Sequence, residues 1–260
     1  MTVDPKKANA AAVEALVTVT DYAIVRLTRA DGLSREDLES GPIRDLIARE
    51  VRVGAMRSDE QLRASLADTM DGVDGDVWVF GYGSLMWNPI ICVAESRVVR
   101  ITGYHRAFCL RSTAGRGSPE RPGLMLGLDT GGSSGGLALR IARETLDDDL
   151  TLLWRREMST GSYVPKWLSA TGRDGKIRVL AFAANRQADN YVGSLIEEET
   201  AGLLSTGAGF LGTNLDYLVR THRSLREHGI TDRKVDRLVR RCAVRTHEPD
   251  GAALSPKGCP

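Results

Sequence analysis

An α+β fold, a mixed β-barrel with helices packed around it, is the architecture this sequence predicts, and three observations carry the prediction. Between Val77 and Ala184, segments rich in β-branched and aromatic residues alternate with clusters of glycine, serine and aspartate. One amphipathic stretch, Leu146 to Met158, interrupts them, and a long helical pattern follows from Tyr191 to about Val244. Interleaved strands and helices joined by short hairpins suit a closed or half-closed mixed barrel.

Residues 1–75 read as an N-terminal helical extension. Ala8 to Ile24 predicts an amphipathic helix, because Glu14 and Asp21 interrupt its apolar run and no small-residue cleavage pattern follows. Ser34 to Leu46 and Ser58 to Met70 predict two more, the second with Ser58, Glu60 and Gln61 as a capped start. Residues 76–245 read as one domain, with strands at Val77–Phe80, Arg97–Leu110, Gly123–Leu128, Leu137–Ala142, Tyr163–Ala170 and Ile177–Ala184. Asp129 to Gly136 and Thr171 to Lys176 read as hairpin loops. Thr145 followed by Asp147, Asp148 and Asp149 marks a helix N-terminus, where acidic charge complements the helix dipole. Residues 246–260 are expected to be a flexible tail.

Composition bounds the function. A chain of 260 residues with 42% hydrophobic and 27% charged residues is an ordinary soluble globule, and a net charge of +1 offers no footprint for nucleic acid or an anionic membrane. No segment approaches the roughly 20 unbroken apolar residues of a membrane span. Cys92, Cys109, Cys242 and Cys259 form no Cys-x-x-Cys pair and are expected to be reduced cytoplasmic thiols; the four histidines show no zinc spacing, so no metal is expected.

Chemistry concentrates at two places. In Val77 to Pro89, VWVFGYGSLMWNP, an apolar strand runs into a Gly-Tyr-Gly-Ser turn. Glycines let successive N–H groups point into one concavity that grips a carboxylate or phosphate, and a plain tight hairpin is the other reading. The dinucleotide fingerprint fails because Met86 stands where its third glycine belongs, and no Walker loop is present. The second place is Glu157. On a helical wheel it falls on the apolar face with Leu150, Leu153, Trp154 and Met158, while Arg155 and Arg156 point elsewhere. A carboxylate on a buried stripe is either ion-paired for structure or serves as an acid/base whose pKa burial raises. Asp147 to Asp149 and Glu197 to Glu199 read as a helix start and a solvated face.

FGYGSLMWNP resembles the opening strand and loop of the ChaC family of γ-glutamylcyclotransferases, and further matches run through Arg97–Arg106, Ser118–Leu128, Trp154–Trp167 and Gly212–Leu218. The resemblance spans roughly Val77 to Gly229. It implies the γ-glutamylcyclotransferase-like barrel and a cofactor-independent lyase of the cytoplasm, acting on a small γ-glutamyl compound. In that chemistry the γ-glutamyl α-amine attacks its own γ-carbonyl, giving 5-oxoproline and a free amine. The implied substrate is glutathione, with other γ-glutamyl amines or amino acids as the alternative, and a non-catalytic sensor of a γ-glutamyl metabolite as a further one. Glu157 takes the place of the family's acid/base.

The loop from Phe80 through Gly81, Tyr82, Gly83 and Ser84 to Leu85 is then the expected grip on the α-carboxylate, chiefly by backbone N–H groups, with Gly83 read at positive φ. Tyr82 and Ser84 offer hydroxyls, or serve the core and the turn. Tyr163 is a donor to the γ-glutamyl group or a barrel-packing residue. Arg111 and Arg116 suit the distal carboxylate of a glutathione-like substrate, or stand as surface arginines. Trp154, Trp167, His105 and His222 are read as structural.

Overall fold

Five strands close into a barrel, and six helices lie around it, in a computed structural model that describes residues 33–39 and 56–247. The expected helix at Ala8 to Ile24, the second half of Ser34 to Leu46 and residues 248–260 of the expected tail lie outside the described residues, while residues 246 and 247 belong to the last helix. The strands are β1 (Trp78–Gly81), β2 (Val93–Ser112), β3 (Gly123–Ile141), β4 (Tyr163–Gly172) and β5 (Gly175–Ala184). The helices are α1 (Arg35–Glu39), α2 (Asp59–Met70), α3 (Leu146–Glu157), α4 (Glu197–Thr206), α5 (Asn214–Glu227) and α6 (Arg233–His247).

The barrel order is β1-β3-β2-β4-β5. β1 pairs antiparallel with β3 (Trp78 with Arg140, Gly81 with Leu137), and β4 with β5 across the turn at Gly172 and Gly175. Short parallel contacts, Val79 with Leu180 and Leu128 with Ala183, close it. Hydrophobic alternation supplies the filling: Phe80, Ile101, Leu126, Leu128, Leu180 and Phe182 are essentially without solvent contact. The ends of β1, β2 and β5 and the starts of β3 and β4 supply residues to one cavity, and the site forms there.

Two sequence expectations are corrected. Asp129 to Gly136 is not a hairpin loop but the interior of one long strand: Thr102 pairs with Ser133 and Tyr104 with Thr130, a register break that marks a bulge. Gly131 and Gly132 adopt positive φ there, so the glycine cluster bends a strand rather than reversing the chain. The helical run from Tyr191 is likewise broken. Tyr191 bridges Leu110, helix begins only at Glu197, and a two-residue hairpin (β6, Ala208–Gly209; β7, Gly212–Thr213) separates α4 from α5.

Other expectations hold. Ser58 and Gln61 form the reciprocal capping box of α2, with Gln61 N–H donating to Ser58 Oγ at 3.2 Å and Ser58 N–H to Gln61 Oε1 at 2.8 Å. α3 buries Leu150, Leu153, Trp154 and Met158, with Trp154 edge-on to Phe182 at 5.5 Å. Glu197 and Glu198 face the arginines of α6, Arg237, Arg241 and Arg245, as an exposed ion-pair ladder.

Asn214, fully buried at the start of α5, substitutes for a neighbouring strand. Its Nδ2 donates to the Leu124 carbonyl and its Oδ1 accepts from the Leu124 N–H, each at 2.7 Å. Asn214→Ala leaves both backbone groups unsatisfied, at about 1–3 kcal/mol each. Thermal melting is expected to fall by several degrees at least, and an unchanged midpoint would show that water replaces the amide.

Candidate active site

A cavity of about 590 Å³ opens at the assembled end of the barrel. β1 delivers the Gly-Tyr-Gly-Ser loop to it, α3 delivers Glu157 in its last turn, and Gly161, at φ 68, turns the chain from α3 into β4 so that Tyr163 lines the same space. Of the residues singled out in the sequence, Tyr82, Gly83, Ser84, Leu85, Arg111, Arg116, Glu157 and Tyr163 line the cavity. Phe80 and Gly81 do not. Phe80 is core, its ring 6.3 Å from that of Tyr82.

Gly83 is not at positive φ. Its φ of −141° is negative, and glycine is required for space: a Cβ there would sit 2.9 Å from the Tyr217 hydroxyl and 3.4 Å from Leu126 Cδ1. A short 3₁₀ turn, Ser84–Met86, follows. Its ladder uses the N–H groups of Met86, Trp87 and Asn88, while those of Gly83, Ser84 and Leu85 have no acceptor among the described residues. Arg106, 4% exposed, pins the loop: Nε donates to the Tyr82 carbonyl at 2.5 Å, Nη2 to the Gly135 carbonyl at 2.6 Å, and Nη1 pairs with Asp232 at 2.5 Å. With three partners, this buried guanidinium is a fixed strut.

Glu157 keeps 13% side-chain exposure, directed into the cavity. Burial raises its carboxyl above 4.5, and the adjoining Arg156 guanidinium, Nε 3.1 Å from Oε1, opposes the shift only in part. Arg156 corrects the sequence reading that it points elsewhere: a long side chain leaves the helix flank and turns back beneath the loop. Its Nη2 donates to Ser84 Oγ and its Nη1 to the Asn88 carbonyl, each at 2.7 Å. The Ser84 hydroxyl is thereby an acceptor for Arg156.

Three phenols surround the carboxylate. Tyr82 donates to the Phe182 carbonyl and Tyr163 to the Leu126 carbonyl, both at 2.7 Å. Tyr217 packs edge-on to Trp87 and Phe108. Burial, with Glu157 adding to it, pushes Tyr217 up to about 12, and burial likewise raises Tyr82 and Tyr163 well above 10. All three stay protonated near neutrality. Tyr217 was not singled out in the sequence, although it lies in GTNLDYL; nothing local distinguishes a cavity tyrosine from a core one.

Arg116 is buried, not a surface arginine. Its Nη1 lies 2.7 Å from Asp216, which Arg220 also contacts at 2.8 Å. One carboxylate between two guanidiniums leaves a surplus positive charge beside Trp87. Arg111 stands exposed at the rim. The remaining structural readings find partners: Trp167 donates to the Thr69 carbonyl at 2.9 Å, His105 Nδ1 lies 3.1 Å from the Gly131 carbonyl, and His222 pairs with Asp236 at 3.1 Å. Asp149 lies in the first turn of α3, as the sequence predicts. It is fully buried and accepts from the Cys92 N–H at 2.8 Å and the Thr145 hydroxyl at 2.7 Å.

Fold and site together define one cavity lined by the 82–85 turn and by a buried carboxyl whose pKa is raised. The model for the family described as ChaC-like protein matches residues 77–245, and the chain belongs to that family. It is 44% identical over 178 residues to the glutathione-specific γ-glutamylcyclotransferase of Escherichia coli, covering 67% of this chain and 77% of that protein. Identity to the human glutathione-specific γ-glutamylcyclotransferase 1 is 36% over 155 residues, 56% of this chain and 70% of that one. Among solved structures, the yeast γ-glutamyl cyclotransferase specific to glutathione superposes with a TM-score of 0.61 at 20% identity, covering 67% of this chain and 98% of that one, a likeness of fold. Among the described residues, no helix is long and apolar enough to cross a membrane.

Proposed function

We propose that the protein is a γ-glutamylcyclotransferase that cleaves glutathione to 5-oxoproline and cysteinylglycine. The observation that carries the reading is Glu157, a raised carboxyl in the wall of the cavity that the 83–85 turn also lines, whose N–H groups have no acceptor among the described residues. The free N–H groups receive the substrate α-carboxylate and hold the γ-glutamyl chain folded back on itself. Glu157 takes a proton from the α-ammonium, the freed lone pair attacks the γ-carbon, and the amide C–N bond breaks as a proton passes to the leaving nitrogen. Well-oriented intramolecular attack reaches effective molarities of about 10⁵ M or more, so alignment supplies much of the acceleration.

Tyr163 lines the cavity and could orient the γ-carbonyl only by releasing the Leu126 carbonyl that now takes its hydroxyl proton, whereas the surplus charge around Arg116 with Arg111 at the rim suits the distal carboxylate. The same reading sets the reaction in the cytoplasm, and it is supported by Cys92 and Cys109 standing as thiols.

The test is 5-oxoproline release from glutathione, γ-glutamylalanine and a γ-glutamylamine across pH. Turnover is expected with glutathione foremost. Its acid limb is expected above 4.5, because a base whose pKa is raised must be ionised to accept the ammonium proton. Preference for γ-glutamylalanine or the amine would shift the substrate assignment, and an acid limb at or below 4.5 would remove Glu157 as the base.

A further inference from the structure

The cavity wall contains one residue from far outside the matched family segment, Leu33. Its carbonyl accepts a hydrogen bond from Asn88 Nδ2 at 2.9 Å, and the Asn88 carbonyl in turn accepts from Arg156 at 2.7 Å. Two residues on, Arg35 Nη1 donates to the Ile90 carbonyl at 2.9 Å and pairs with the buried Asp149. Ile90 is the only non-glycine residue at positive φ among the described residues, at 59°. A β-branched side chain in that region is strained by about 1–3 kcal/mol and persists only where its surroundings fix it. Between the two anchors, Ser34 starts α1 with reciprocal bonds to Asp37, 3.0 and 3.1 Å, which sets the direction of the chain at Leu33.

We propose that residues 33–35 form a strap that completes the wall of the substrate cavity, with Leu33 touching the bound γ-glutamyl compound and Arg35 positioning it. The proposal rests on the functional reading above and adds a specificity element outside residues 77–245. The connections run the right way for this role. Asn88 follows the gripping turn and Arg156 adjoins Glu157, so the strap is hydrogen-bonded to the same frame that holds the carboxylate. Asp149, buried on α3, gives Arg35 a fixed seat on the helix that carries Glu157. An apolar contact here excludes water from the turn's N–H groups and is present with substrate before and during reaction, so its loss falls on affinity.

The experiment compares the full-length wild type with Leu33→Ala, Leu33→Trp, Arg35→Met and Arg35→Lys, reading kcat, KM and the melting midpoint with glutathione. Leu33→Ala is expected to raise KM roughly tenfold with kcat within about twofold and the midpoint unchanged, a size typical of lost apolar pocket contact. Leu33→Trp, which intrudes on the cavity, should raise KM further. Arg35→Met should raise KM and lower the midpoint, since Asp149 is left without its cation, and Arg35→Lys should restore both. Both Leu33 variants at wild-type KM, in a wild type that releases 5-oxoproline, would overturn the strap alone. A wild type that releases none would overturn the functional reading and this proposal with it.

Discussion

Glu157→Gln is expected to lower turnover by about 10²–10⁴-fold, the range that a positioned acid/base contributes, while the affinity for glutathione is kept. The amide is isosteric and cannot accept the ammonium proton. Arg156, left without its charge partner, keeps its bonds to Ser84 and Asn88, so the loop frame survives. Stability supplies an independent readout. A carboxyl whose folded pKa lies above its unfolded value of about 4.5 stabilises the fold fully only below that unfolded value, and the contribution is lost as pH rises through the folded pKa. At neutral pH the ionised buried carboxylate is therefore a cost that glutamine avoids. The variant should melt at or above the wild-type midpoint at pH 7–8, with the gap closing toward pH 4.5. A variant that retained more than a few per cent of turnover would place the base elsewhere. One that melted lower at every pH would mean that the carboxylate is a structural partner of Arg156.

Gly83→Val is expected to lower kcat/KM with glutathione by about 100-fold, most of it in KM, in a protein that still melts cooperatively. The cause is overlap. The new Cβ would lie 2.9 Å from the hydroxyl of Tyr217, a side chain 3% exposed and held edge-on between Trp87 and Phe108, so the turn must yield rather than the ring. Overpacking of this kind costs about 1–3 kcal/mol, which shifts the midpoint of a domain this size by about 2–4 °C per kcal/mol. As the turn moves, the N–H groups of residues 83–85 shift relative to the cavity, and a carboxylate bound by several of them loses them together. Calorimetric titration of glutathione into a Gly83→Val, Glu157→Gln double variant separates binding from turnover. Affinity equal to that of Glu157→Gln alone would show that the turn does not grip the substrate.

Much of this was determined by the sequence alone. The β-branched runs at Val77–Phe80, Tyr163–Ala170 and Ile177–Ala184 became β1, β4 and β5 because their alternation and their glycine turns point to one answer at every level. Glu157 was legible because its neighbours at three, four and seven positions along the helix are Trp154, Leu153 and Leu150, and periodicity reports which face is buried. Ser58 and Gln61 were legible because a capping box is closed within four residues.

The tertiary structure decided whatever depends on partners distant in the chain. Asp129 to Gly136 has the composition of a turn, and only pairing with Thr102 and Tyr104 makes it a bulged strand. Gly83 is demanded by Tyr217, more than 100 residues away, and no local rule anticipates that contact. Arg156 lies off the apolar face of α3, yet the length of its side chain brings it to Ser84 and Asn88. Asp149 looks like a helix-start acid until Arg35 and Cys92 converge on it. Local pattern fixes which groups are driven inward, because burial follows periodicity; which atoms they meet there depends on chain closure, and that is settled only when the barrel shuts.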